Sequence, residues 1–182
     1  MISITFDNLD TDRIKPSTRY ETLPVGNHEV TVVKNKAGAA SVKLVKNTQA
    51  DGSPLYSLSF FYTSTQKGFS GINFNLDVLG VKNVVGKRGD NAGKTFAIDM
   101  RANLFQYLLN YGFAEAEAKA ANIVFTALED EVALDAAGFK GVPTDILVNG
   151  QSISDRLTST PVIATVEKSA KGKTFIKSIS AK

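Results

Sequence analysis

The sequence predicts an α+β protein: an OB-like five-stranded β-barrel body with a helical insertion between its third and fourth strands. Three observations carry this expectation. Short runs of β-branched and aromatic residues occupy both ends of the chain. Between about 99 and 140 the apolar period lengthens from that of a strand to that of a helix. The charge divides along the same boundary. From Gly112 to Asp145, seven acids (Glu115, Glu117, Glu129, Asp130, Glu131, Asp135, Asp145) oppose two lysines (Lys119, Lys140), a net −5. The whole chain carries +3, so the remainder carries +8. A basic strand-rich body beside an acidic insertion has the electrostatic footprint of a nucleic-acid-binding module.

Taken in order, residues 1–22 are polar and broken by Pro16, and read as an arm or edge strand. Turn residues from Leu23 lead into a first strand at about 28–34. Lys34-Asn-Lys-Ala-Gly is a loop, Ala40–Lys46 alternates as a second strand, and Asn47–Pro54 is a connection built around Asp51-Gly52. Leu55–Thr63 is the strongest strand signal in the chain. A glycine-punctuated stretch, 68–93, shows no clear element. Met100, Leu104, Leu108 and Tyr111 then lie at helical spacing, as do Ala116, Ala120, Ile123 and Ala127. These predict helices over 99–111 and 114–136, separated at Gly112 and ended by Gly138. Strands resume weakly at Asp145–Val148 and clearly at Pro161–Lys168 and Lys173–Ser180, the last two joined by a Ser169-Ala-Lys-Gly-Lys turn.

A chain of 182 residues suits a single domain, 1–182, able to bury a core without disulfide or metal. It has no cysteine, which excludes thiolate metal sites and fits a reducing cytoplasm. The start lacks a signal peptide, and no apolar run approaches the roughly 18 residues of a membrane helix. The expected location is cytoplasmic, with no membrane partner.

Three strands, a helix and two closing strands is the order of an OB-fold, whose ligands bind the strand 2–3 face and the loops joining strands 1–2 and 4–5. Here those loops are Lys34-Asn-Lys-Ala-Gly-Ala and Lys168-Ser-Ala-Lys-Gly-Lys, both rich in lysine and glycine. The opening Ile2-Ser-Ile-Thr-Phe-Asp-Asn-Leu-Asp, the stretch Tyr20-Glu-Thr-Leu-Pro-Val-Gly-Asn-His-Glu-Val and the closing Lys171-Gly-Lys-Thr-Phe-Ile-Lys-Ser-Ile resemble bacteriophage single-stranded-DNA-binding proteins of the OB-fold type. The similarity covers roughly 20–65 and 160–182. It implies a DNA-binding viral protein acting in phage DNA replication or recombination, in the host-cell cytoplasm, with single-stranded DNA and replication proteins as partners. Two features depart from the family. The helical block exceeds the single helix an OB barrel requires, and the chain ends Ser-Ile-Ser-Ala-Lys instead of in an acidic tail, which puts tail-mediated recruitment in doubt.

A single-strand binder needs cations for phosphates and aromatic faces for bases, stacking being worth about 1–3 kcal/mol per base. The cations are Lys34, Lys36, Lys43 and Lys46 early, and Lys168, Lys171, Lys173 and Lys177 late. Lys87, Arg88 and Lys94 form a third basic loop. Alternation in Leu55–Thr63 places Tyr56, Leu58, Phe60 and Tyr62 on one face and Phe61 among hydroxyl side chains on the other. Leu58 and Phe60 mark the first face as core, so Phe61 is the expected stacking platform, with Tyr56 and Tyr62 reaching the groove from its ends. Phe69, Phe74 and Phe175 are expected to pack inside.

Other chemistries find little support. Gly86-Lys-Arg-Gly-Asp-Asn-Ala-Gly-Lys-Thr ends like a phosphate-binding loop, but the position five before Gly93 is Arg88, not glycine. One histidine, His28, and no cysteine leave no Cys–His pair and no His-rich metal site. The consecutive acids Glu129-Asp-Glu point in different directions on a helix. The reading is therefore a non-enzyme without cofactor or metal that binds single-stranded DNA regardless of sequence. The alternative is a structural or protein-interaction module, such as a virion component or host-protein inhibitor. A homo-oligomer is compatible with either.

Overall fold

The computed structural model describes residues 20–182. The expected arm lies mostly outside them; within them, Glu21 makes a parallel bridge to Phe69. The fold is mixed α+β and strand-rich, with four α-helices among the described residues and open antiparallel sheets.

The long strand β3 (Pro54–Ser64) organises the main sheet. Along one edge it pairs first with β2 (Val42–Thr48), through its residues 54–60, and then with β1 (Gly26–Val32), through residues 62–64. Its other edge holds β4 (Ile72–Leu79), from Tyr56↔Leu79 to Tyr62↔Ile72. β1 continues the sheet to β11 (Val162–Lys168), which pairs with β12 (Thr174–Ala181). With a short β8 (Val142–Pro143) outside β2, this makes seven strands. The sheet curls until β12 comes alongside β4, but no ladder joins them. The barrel is not closed.

That seam is covered by helix α1 (Arg101–Asn110), whose Asn110 donates its side-chain N–H to the Ile179 carbonyl at 2.9 Å. Gly112, at φ +80°, ends the helical run with a backbone bond to Leu109, as its sequence position predicts. The inner face of β3 is Tyr56, Leu58, Phe60 and Tyr62, all buried, as alternation requires. Phe60 stacks on Tyr107 of α1 at 4.5 Å between ring centroids. The Tyr62 hydroxyl lies 2.7 Å from that of Tyr107 and 2.8 Å from that of Tyr111. Three buried phenols therefore satisfy one another inside an otherwise apolar core.

Three sequence expectations are corrected. First, the stretch 68–93 holds β4 and then β5 (Val81–Val85), which pairs with β6 (Thr95–Asp99) as a separate two-stranded ribbon. Its glycines hide strands because they serve the turns between them. Second, the helix expected over 114–136 is broken. Only α2 (Glu115–Ala120) and α3 (Glu131–Ala137) are helical. Between them β7 (Ile123–Phe125) pairs with β9 (Ile146–Val148), and β10 (Gln151–Ser152) completes a three-stranded sheet. Ile123-Val-Phe has strand-forming side chains, and a partner strand outweighs alanine's helix propensity on either side. The Asp130 carboxylate then starts α3 by accepting from Ala133 N at 2.9 Å. Third, the insertion is accordingly not purely helical. A further helix, α4 (Ser154–Ser159), leads back to β11. The Gly86–Thr95 segment, set aside as a phosphate-binding loop on its spacing, is the tip of the ribbon, and β6 rather than a helix follows Lys94.

Candidate nucleic-acid interface

The outer face of β2, β3 and β4 forms a groove of about 520 Å³. Strand register builds its floor in cross-strand rows. Lys43 is opposite Ser59, which is opposite Asn75; Val45 is opposite Ser57, which is opposite Asp77; Phe61 is opposite Asn73. Small hydroxyl and amide side chains dominate this floor, and Phe61 is its one aromatic residue. Its ring, 36% exposed, lies over Gly71, where even a Cβ atom would overlap it. Phe61 thus packs against the Gly71 backbone and stays partly exposed.

The second aromatic comes from the insertion. A single 3₁₀ turn after α3 carries Phe139 and Lys140 to the groove mouth. Phe139 is 91% exposed, more than any other large hydrophobic residue described. Three attachments hold this turn. β8 pairs with β2 at Lys43↔Pro143 and Leu44↔Val142. Lys46 forms an ion pair with Asp135 at 2.8 Å. Tyr56 donates its hydroxyl to Glu131 at 3.3 Å. Gly141, at φ +65°, lets the turn press onto β2, since a Cβ there would come within 2.9 Å of the Leu44 carbonyl oxygen.

The groove does not stop at Phe61. Asn73 also lines a second depression with Ser70, Gly71, Thr174 and Phe175. Thr22, Leu23 and Thr174 are shared with a third, bounded by Lys168 and Lys173 of the β11–β12 turn. The three depressions therefore adjoin in a row, a path with Lys140 and Lys43 toward one end, Lys168 and Lys173 at the other, and Phe139, Phe61 and Phe175 along it. Asp77, beside the groove floor, is engaged by Ser57 at 2.7 Å and by Lys82 at 3.3 Å.

The sequence expectations divide accordingly. Phe61, Lys43, Lys168 and Lys173 line the path. Lys34 and Lys36 are exposed on the β1–β2 loop, which springs from the Phe61 end, where Phe61 N donates to the Ser41 carbonyl. Lys171 sits at the tip of the β11–β12 turn, outside the lining.

The remaining residues lie off this path or differ in burial from the expectation. Tyr56 and Tyr62 do not reach the groove, because even-numbered residues of β3 point into the core. Burial raises the pKa of both phenols, and that of Tyr62 strongly. Lys46 points to the α3 side, where hydrogen bonding to Asp135 raises its pKa. Lys177 is taken by Glu167 at 2.6 Å. Lys87, Arg88 and Lys94 lie at the far end of the ribbon, apart from the groove lining. Phe175 is not core but 40% exposed. His28 hydrogen-bonds to the Pro24 carbonyl at 2.8 Å.

Sequence reasoning missed Phe139, Lys140, Asn73 and Asn75. The only local signal for the first two was an aromatic and a cation inside Gly138-Phe-Lys-Gly, a segment too glycine-rich to bury them.

Among the described residues no helix is long and apolar enough to cross a membrane. No protein-family model matches the chain, and no curated protein or solved structure does either.

Proposed function

We propose that this protein binds single-stranded DNA without regard to sequence, threading it along the path from Phe139 to Lys173. The observation that carries this reading is the pair of exposed rings, Phe61 and Phe139, on one polar groove with Lys43 and Lys140. Rings of this kind stack on any base, because every base has a π face. Lys43, Lys140, Lys168 and Lys173 would meet phosphates, and the Asn73 and Asn75 amides would meet base edges or sugars. Duplex would be excluded, since paired bases cannot offer their faces to Phe61.

The strand order supports an OB-like reading of the open barrel. β1 and β2, on the same edge of β3, are taken together as one bent first strand, so the Lys34–Ala39 loop interrupts strand 1 instead of joining strands 1 and 2. β3 and β4 follow, then a helix over the seam, then β11 and β12. The path then occupies the strand 2–3 face and reaches the 4–5 loop, where OB-folds take oligonucleotides. Together with the resemblance of residues 20–65 and 160–182 to phage proteins, this supports a role in phage DNA replication or recombination. It is a binding role, not catalysis.

Fluorescence anisotropy of a labelled single strand of about 30 nucleotides, with duplex as competitor, tests it. Four phosphate contacts give a log–log salt slope near −3, a fall of about 50-fold between about 50 and 200 mM salt. Absence of binding at the lower salt, or displacement by duplex, would overturn the reading.

A further inference from the structure

The β5–β6 ribbon stands away from the body with both faces in solvent. Val81, Val84, Val85, Phe96 and Ile98 are all exposed on it. Register places Val84 opposite Phe96 and Lys82 opposite Ile98, so Val84, Phe96 and Ile98 form an apolar strip beside Lys82 on one face, with Val81 and Val85 on the other. A two-stranded ribbon alone is marginal in water, and an apolar strip of this kind marks a contact surface.

The molecule also carries a surface shaped to receive it. A second groove, of about 550 Å³, lies beside the root of the ribbon between α1, α2 and β7. Leu79, Ala102, Phe105, Ala121, Ile123 and Leu128 line it. The charges at its rim are already neutralised, Asp99 by Arg101 and Lys119 by Glu115. Charge also matches between the two surfaces. Beyond these pairs and the Lys82–Asp77 pair, the ribbon bears Lys87, Arg88 and Lys94 against Asp90, while the elements around the groove bear Glu117 and Glu129.

From this complementarity we infer that the ribbon of one copy lies in the α1–α2–β7 groove of a second copy, reciprocally, forming a two-fold dimer. Asp99 and Arg101 line the groove at the point where the ribbon leaves the body. A single axis near that root therefore brings each ribbon to the other's groove. Two equivalent contacts double the covered area, toward the roughly 1,200–2,000 Å² of a stable interface. A ribbon of five residues per strand is about 17 Å long, enough to span the groove. The inference does not depend on nucleic-acid binding.

Sedimentation equilibrium of the full chain without nucleic acid tests it, at micromolar concentration. The expected mass is twice the 19.5 kDa of the chain. A Val84→Asp/Phe96→Asp variant, altered on the ribbon, and an Ala102→Arg variant, altered on the groove, should each sediment as monomers. An equimolar mixture of the two should recover dimer, because each mixed pair keeps one intact ribbon and its intact groove. Circular dichroism matching the parent checks that each variant is folded. A monomeric parent overturns the inference. So does a dimer lost in the ribbon variant but kept in Ala102→Arg, which would mean that ribbons pair with each other. A monomeric parent whose ribbon variant loses DNA affinity would assign the ribbon to nucleic acid instead.

Discussion

The ring of Phe61 rests directly on Gly71, so the groove's inner aromatic is held by a residue with no side chain of its own. Phe61 is on β3 and Gly71 immediately precedes β4, paired strands whose register sets the contact. Removing the ring by Phe61→Ala should weaken single-strand binding by about 1–3 kcal/mol, roughly 5- to 150-fold. The thermal midpoint should move little, because the ring is already partly exposed. Gly71→Ala should lose affinity too, by dislodging the ring, with an unchanged salt slope. Anisotropy titrations of both variants check this; full affinity in Phe61→Ala would remove it from the interface.

Phe139 contributes almost nothing to the fold, being nearly all in solvent. Phe139→Ala should therefore match the parent in thermal melting while losing affinity on the same scale as Phe61→Ala. Equal affinity would mean that the insertion only supports the sheet.

Lysines on the path and lysines off it should separate by salt dependence. Lys43→Ala and Lys173→Ala should each make the log–log slope shallower by about 0.7, the value for one phosphate contact on a single strand. Lys46→Ala and Lys177→Ala should leave it unchanged, because Asp135 and Glu167 already hold those cations. Titrations at several salt concentrations compare the four, and a shallower slope in Lys46→Ala would contradict the assigned path.

The buried phenols make the fold sensitive to alkali. Burial raises Tyr62 and Tyr107 well above the ordinary phenol value, and Tyr111 above it. A raised pKa in the fold means that the neutral form is favoured there. Stability is then fully present below the unfolded phenol value of about 10 and declines as pH rises above it, toward the folded values. Ultraviolet absorbance should show these phenolates appearing together with loss of structure. Tyr62→Phe removes both hydroxyl contacts and should cost about 1–3 kcal/mol at neutral pH, measured by urea unfolding.

The alternation of Leu55–Thr63 was enough to separate a core face from an outer face, and so to single out Phe61. It carried equal information about Tyr56 and Tyr62, whose even positions assign them to the core. The hydroxyl on each ring draws attention to a ligand, but in the fold it is answered by Glu131 or by other tyrosines. Gly112 and Gly138 marked helix ends correctly because a positive φ is a local property. The break at Ile123-Val-Phe was not local: β9 lies more than twenty residues away, and its pairing outweighs the helical period around it.

Charge and period along the chain determined the basic strand-rich body, the acidic insertion and the face of β3 that meets solvent. These follow from nearest neighbours and from alternation. Tertiary structure alone decided which lysines remain free. An acid that neutralises a lysine, as Asp135 does Lys46, can lie anywhere in the sequence. It also brought Phe139 to Phe61, because the two are joined through β8 on β2, the Lys46–Asp135 pair and the Tyr56–Glu131 bond, contacts between segments roughly 75 to 100 residues apart.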